Sequence, residues 1–242
     1  MPELSGYFDV LLFAVLPYVA AALFVLVSVQ RYVMRPFTYS SLSSQFLENR
    51  DHFWSLVPFH YGIIVVLTGH LIAFLIPQHV LWWNRHPLRL YVLEITALAF
   101  GLLALIGLIA ALYRRLSRPR VKTVTTANDW VLVLLLLVQI YSGVHIAIFH
   151  RWGSSWYAAA MVPYLSSLLK LRPELGPIAS MPWMVKVHVA GAFVLIGFFP
   201  FTRLAHVLVA PIPYLWRKPQ LVRWYGNRHA IRRQTETGER RV

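Results

Sequence analysis

No cysteine occurs among the 242 residues. Disulfides, thiolate zinc sites, iron–sulfur clusters, cysteine nucleophiles and covalently attached c-type haem are therefore closed to this chain. Charge is scarce too. Only 13% of residues are charged, 9 acidic against 23 basic, where a soluble domain carries about 25% charged residues. No internal repeat and no Gly-rich phosphate loop stands out. With 58% of residues hydrophobic, the chain is too apolar to stay disordered and is not built to face water. A net charge of +14 would suit nucleic acid, but the basic residues are spread among loops, which excludes a nucleic-acid footprint.

Five apolar runs carry the hydrophobic excess. They extend from about Phe8 to Gln30, Phe53 to Ile76, Leu90 to Tyr113, Trp130 to Phe149 and Met184 to Val209. A helix needs roughly 20 apolar residues to cross a bilayer core about 30 Å thick. Runs this broad predict helices rather than the alternating segments of about 10 residues in a membrane barrel. The first run reads as a span, not a cleaved signal peptide, because its only early charges are Glu3 and Asp9. The expected fold is an all-α integral membrane protein with five transmembrane helices. Arginine and lysine alternate in density between successive loops, 16 on one side against 5 on the other. By the positive-inside rule the N-terminus is outside and the C-terminus cytoplasmic.

The loops add detail. Ser117 to Arg120 ends the third helix, since Pro119 cannot continue it. Thr126, Asn128 and Asp129 read as an N-cap region for the fourth. Trp156 to Leu171 reads as an amphipathic helix lying on the outer surface. Residues 1–225 read as a single transmembrane domain, within which 210–225 is a basic, aromatic segment suited to docking. Residues 226–242 form a basic polar tail, mobile by composition.

Of ten histidines, His60, His70, His145, His188 and His206 lie within spans, with His150 at an edge. Ionisable groups inside a membrane are costly and default to functional candidates. At 1.5 Å rise per residue, His60 and His70 stand about 15 Å apart and, on one continuous helix, His188 and His206 about 27 Å apart on one face. The second and fifth helices run antiparallel. Packing them together pairs His60 with His206 at one end and His70 with His188 at the other. Facing imidazoles suit a b-type haem, with both axial sites filled by neutral nitrogens. Gly69 and Gly191 allow a flat macrocycle to approach. The alternative is four polar residues bridging helices. His145 is either a further outer ligand or a helix-packing or quinone-site residue.

Several stretches together resemble the gamma subunit of bacterial respiratory nitrate reductase, a membrane cytochrome b. They are Arg31-Tyr32, SSQFLENR from Ser43, FHYGIIVVLTGH ending at His70, RRLSRPRVKTVTT from Arg114, Asp129, HVAGAFVLIGFFPFTRLAH from His188 to His206, and PIPYLWRKPQLVR from Pro211. The resemblance spans about Phe8 to Arg223. It implies two haems b, a distal one on His70 and His188 and a proximal one on His60 and His206. It also implies oxidation of menaquinol or ubiquinol near the distal haem. Electrons then pass to an iron–sulfur beta subunit and a molybdenum-containing alpha subunit on the cytoplasmic side of the bacterial inner membrane. The family's quinol site includes a lysine before the third helix. Here alignment offers Arg89, which keeps the charge but not the shape or proton chemistry. Gly69, His70 and Arg89 are the quinol-site candidates. Glu94 either accepts a quinol proton or is a snorkelling surface carboxylate. Arg203 either meets a haem propionate or anchors the interface. Pro211 to Arg223 docks the soluble subunits or lipid headgroups. Other classes remain open: a cofactor-free anchor, a proton-coupled transporter, or a dihaem subunit serving another acceptor.

Overall fold

The structure, a computed structural model, describes residues 2–34 and 49–209, apart from a few side chains that include His206. The docking segment 210–225, the tail 226–242 and the SSQFLENR motif up to residue 48 lie outside the described residues.

Among the described residues the chain is helical without strands. Five helices are long and apolar enough to cross a membrane: Gly6–Met34, Trp54–Leu75, Pro87–Ser117, Ala127–Phe149 and Trp183–Phe201. This is a multi-pass membrane protein. In hydrocarbon every backbone polar group must find its partner within the span, and a helix does so.

The first span belongs to α1, a helical run of Pro2–Val10, a π-helical turn Leu11–Val15 and Leu16–Met34. Next comes α2, Asn49–Leu75, which contains Pro58. Ile76 leaves helical geometry (φ −131°), as a residue before proline does, and Pro77 starts the short α3, Pro77–Asn84. The long α4 is Pro87–Ser117. Arg118 is extended ahead of Pro119, so the chain turns where the sequence signalled, through α5, Pro119–Thr123. The expected cap of α6, Ala127–Phe149, is a full capping box. Thr126 accepts from the Asp129 backbone N–H, and the Asp129 carboxylate accepts from that of Thr126.

A second three-part run, α7, follows: Gly153–Trp156, a π-helical turn Tyr157–Met161 and Val162–Leu169. It then leads through α8, Gly176–Ala179, to α9, Trp183–Phe198. The surface helix expected over Trp156 to Leu171 is thus present, but its apolar face is covered by protein. Met161, Tyr164 and Leu168 are buried with Phe13, Ile178 and Val185 in one cluster. Tyr164 donates its hydroxyl hydrogen to the Phe13 carbonyl at 2.8 Å, inside the π-helical turn of α1. Burial raises the Tyr164 pKa, so it remains a donor. We call this the cap end of the bundle.

The fifth span corrects the expectation. A continuous helix from Met184 to Val209 does not form. The α-helix ends at Phe198, a 3-10 turn covers Phe199–Phe201, Thr202 is extended (φ −113°, ψ 176°), and a second 3-10 segment runs Arg203–Val209. Pro200 supplies the reason, since it has no N–H for the helical ladder and its ring clashes with the preceding turn. The continuous helix from which the 27 Å separation and common face of His188 and His206 were expected is therefore absent.

The spans pack in the order α2, α4, α6, α9, α1. The helix α2, which carries His60 and His70, and α9, which carries His188, are not closely packed along their length, and His70 meets His188 through side chains reaching between them. These two helices flank the bundle's interior from either side of α4 and α6. Between apolar helices in lipid, close packing rather than water exclusion drives association. The tightest crossing, α2 on α4, depends on glycine. A Cβ at Gly62 would sit 2.5 Å from the Ala104 nitrogen, and one at Gly107 would strike the Phe59 backbone.

Candidate functional site: paired histidines at the cap end

His70 on α2 and His188 on α9 face one another with ring centres 6.4 Å apart and planes 35° from parallel. Each ring has one nitrogen committed. The Nδ1 of His70 lies 2.9 Å from the Val66 carbonyl oxygen, one turn back. A carbonyl only accepts, so Nδ1 carries the proton and Nε2 is the lone-pair nitrogen. His60 has the same arrangement, with Nδ1 2.7 Å from the Leu56 carbonyl.

His188 is oriented from α6. Its Nδ1 is 3.1 Å from the Gln139 carbonyl and 3.0 Å from Ser142 Oγ, and Ser142 donates its own hydrogen to that carbonyl. The Gln139 side-chain amide lies 3.3 Å from both ring nitrogens. Gly143 provides the space, since a Cβ there would lie 3.0 Å from His188 Cε1. Gln139, Ser142 and Gly143 recur at intervals of three and four residues in a leucine-rich span, a pattern that marks one polar, small face. The sequence reading missed it.

It also missed Tyr157. This residue sits edge-on to His70, ring centres 5.2 Å apart, and donates to the His70 carbonyl at 3.4 Å. Burial raises its pKa, which keeps the phenol protonated. No local pattern marks Tyr157, because the fold of α7 brings it over the second span.

Other candidates fall as follows. Gly69 is open, with nothing within 4 Å of a Cβ built there. The space at Gly191 is instead filled by Gln139, whose Oε1 would lie 2.6 Å from a Cβ. Arg89 lies against the faces of Trp82 and Trp83, 5.4 and 5.2 Å from their ring centres. No hydrogen bond or ring contact joins it to His70 among the described residues. Glu94 is not a snorkelling surface carboxylate. Its carboxylate accepts from the backbone N–H groups of Gly153 and Ser154, at 3.2 and 2.8 Å, and from the Ser154 hydroxyl. It caps the N-terminus of α7. The ring neighbours of His145 are Tyr141, Phe149 and His150, which favours its packing role. Arg203 pairs with the buried Asp129, Nε to Oδ1 3.2 Å, and donates to the Val124 carbonyl at 3.1 Å. The backbone of His206 belongs to the segment Arg203–Val209.

Two imidazoles held in this way suit a metal placed between them. Bonds of about 2.0–2.1 Å from the metal to each nitrogen, with roughly 1 Å more to each ring centre, require centres about 6 Å apart. No group of three or more histidine, aspartate or glutamate side chains suited to a bare ion occurs among the described residues. Haem iron brings its own macrocycle nitrogens and needs only two axial ligands from protein. The pair His70 and His188 fits a b-type haem.

Fold and site together define a helical, multi-pass membrane protein with paired intramembrane histidines. The model of the nitrate reductase gamma subunit family matches residues 9–225, and the chain belongs to that family. It is 29% identical over 211 residues to the nitrate reductase gamma chain of Bacillus subtilis (strain 168), covering 86% of this chain and 94% of that one. It is 31% identical over 225 residues to the respiratory nitrate reductase 1 gamma chain of Escherichia coli (strain K12), covering 90% and 98%. It is also 32% identical over 214 residues to the nitrate reductase-like protein NarX of Mycobacterium tuberculosis, covering 86% of this chain and 32% of that longer protein. The chain is a membrane subunit of a nitrate reductase and forms part of an oxidoreductase complex with other subunits.

Proposed function

We propose that this chain is the quinol-oxidising dihaem cytochrome b of a respiratory nitrate reductase in the bacterial cytoplasmic membrane. The observation that carries the reading is the facing of His70 and His188 at 6.4 Å, each with Nδ1 committed to a carbonyl and Nε2 left as the lone-pair nitrogen, that of His188 lying 3.3 Å from the Gln139 amide, which a metal would displace. These two would hold the haem at the cap end, and His60 with His206 the haem at the other. Bound there, a haem b would supply one-electron transfer.

The chain's own residues do the rest. The Val66 and Leu56 carbonyls hold the Nδ1 protons of His70 and His60, and the Gln139–Ser142 pair holds that of His188. Gly69 keeps the groove beside His70 open to a quinol ring, and Arg89 hydrogen-bonds a quinol oxygen. Tyr157 closes the other flank of His70. Quinol loses two protons and two electrons to become quinone. The loop charges, 16 basic residues against 5, put the cap end and the N-terminus outside and the C-terminus inside. Protons then leave outward and electrons move inward, conserving about 2.3 kcal/mol per charge per 100 mV crossed. Having no cysteine for a cluster, the chain hands its electrons to an iron–sulfur beta subunit, which serves a molybdenum-containing alpha subunit.

The test is spectral. His70→Ala or His188→Ala should abolish one of two b-haem signals in reduced-minus-oxidised spectra and leave the other. Two unchanged signals would remove these residues from ligation.

A further inference from the structure

The break in the fifth span is braced from three elements. Thr202 Oγ1 donates to the Phe199 carbonyl at 2.8 Å and accepts from the Leu204 N–H at 3.1 Å. Arg31, at the end of α1, donates to the carbonyls of Pro200 and Thr202 at 2.6 and 2.9 Å. From α6, Asp129 pairs with Arg203 at 3.2 Å. Asp129 is only 5% exposed. Thr126 also donates to it at 2.9 and 3.0 Å, and Arg115 of α4 lies 3.7 Å away.

We infer that Asp129 and Arg31 are positioning residues for His206, acting through Arg203 and the Phe199–Thr202 break. The inference rests on the dihaem reading and deepens it. In a 3-10 helix, positions i and i+3 stack one above the other. Arg203 and His206 are three residues apart in such a segment. Holding the Arg203 guanidinium against a buried carboxylate therefore fixes the azimuth of position 206 one turn on. His188 needs no such device, because hydrogen bonds from α6 reach its ring directly. Along the fifth span, His188 is thus oriented through hydrogen bonds to its ring, whereas the backbone that carries His206 is set by a braced turn. Because ligand orientation tunes a metal, disturbing the brace changes one haem and spares the other.

The experiment uses the full-length chain in membranes. The His70→Ala spectrum first assigns which of the two low-spin haem signals belongs to the cap end. Asp129→Asn keeps the size of the side chain and releases the charge pairing. Arg31→Gln frees the Pro200 and Thr202 carbonyls from the opposite side. Each variant should shift or broaden the electron paramagnetic resonance signal and the midpoint of the haem assigned to His60 and His206. The signal of the His70 haem should stay unchanged. The positioning role is overturned by two variants with both signals unchanged, or by both haems changing or being lost together, which would show a brace for the bundle as a whole. Absence of haem from the unmutated chain would overturn the dihaem reading and this one with it, and would be seen before any substitution.

Discussion

A ligating histidine must commit one nitrogen before it can present the other, and here the commitments come from different sources. His60 and His70 use the carbonyl one turn back on their own helix. His188 relies on Gln139 and Ser142 of its neighbour. The second arrangement is the more fragile, since it depends on the small residue that makes room for the ring. Gly143→Val should displace the His188 ring, whose Cε1 would lie 3.0 Å from the new Cβ. The expected result is selective loss of the cap-end haem signal with the other retained, read in the same difference spectra. Arg89→Ala should leave both haems in place and slow quinol oxidation measured with a soluble quinol analogue. Turnover equal to that of the unmutated chain would remove Arg89 from the site. The His70–His188 pair could be read from the sequence because an ionisable residue stands out in an apolar run. Tyr157 could not, because its relation to His70 is created by a loop folding back. Glu94 was visible as a residue, but its partner at the start of α7 was not.

Among elements, the helix crossings and caps distribute the stability. Gly107→Leu would drive a side chain into the Phe59 backbone, which cannot yield as a flexible side chain would. Overpacking of this kind costs about 1–3 kcal/mol or more, and thermal unfolding in detergent should show a marked loss. Glu94→Gln should be milder. It removes a charge from the N-terminus of α7, an interaction of about 0.3–1 kcal/mol, and should raise protease cleavage of the segment between α6 and α9 without displacing haem. Apolar run length located all five spans, four of them to within a few residues at both ends, because length and apolarity alone decide what crosses a bilayer. It missed the end of the fifth. Pro200 stood in the run, but prolines such as Pro58 are tolerated inside membrane helices. Here Pro200 ends the helix because the Arg31, Thr202 and Arg203 contacts satisfy the backbone groups that the break releases.

For the molecule as a whole, the apolar exterior, the alternating loop charge and the missing cysteines describe one task. In the proposed function the bundle holds electron carriers apart from water and delivers to a partner that supplies the next centre. Because no native cysteine interferes, orientation can be read by introducing one. Ser154→Cys, at the cap end, should react with an impermeant thiol reagent added outside intact cells. Ser117→Cys, at the other end, should react only after the membrane is opened. The reverse pattern would invert the assigned orientation and with it the direction of proton release. The most direct measurement of the central claim is the haem content of the purified, unmutated chain by pyridine haemochrome assay. The account predicts two b-type haems per chain, both reducible by quinol, and a chain that purifies folded with one haem or none would contradict it.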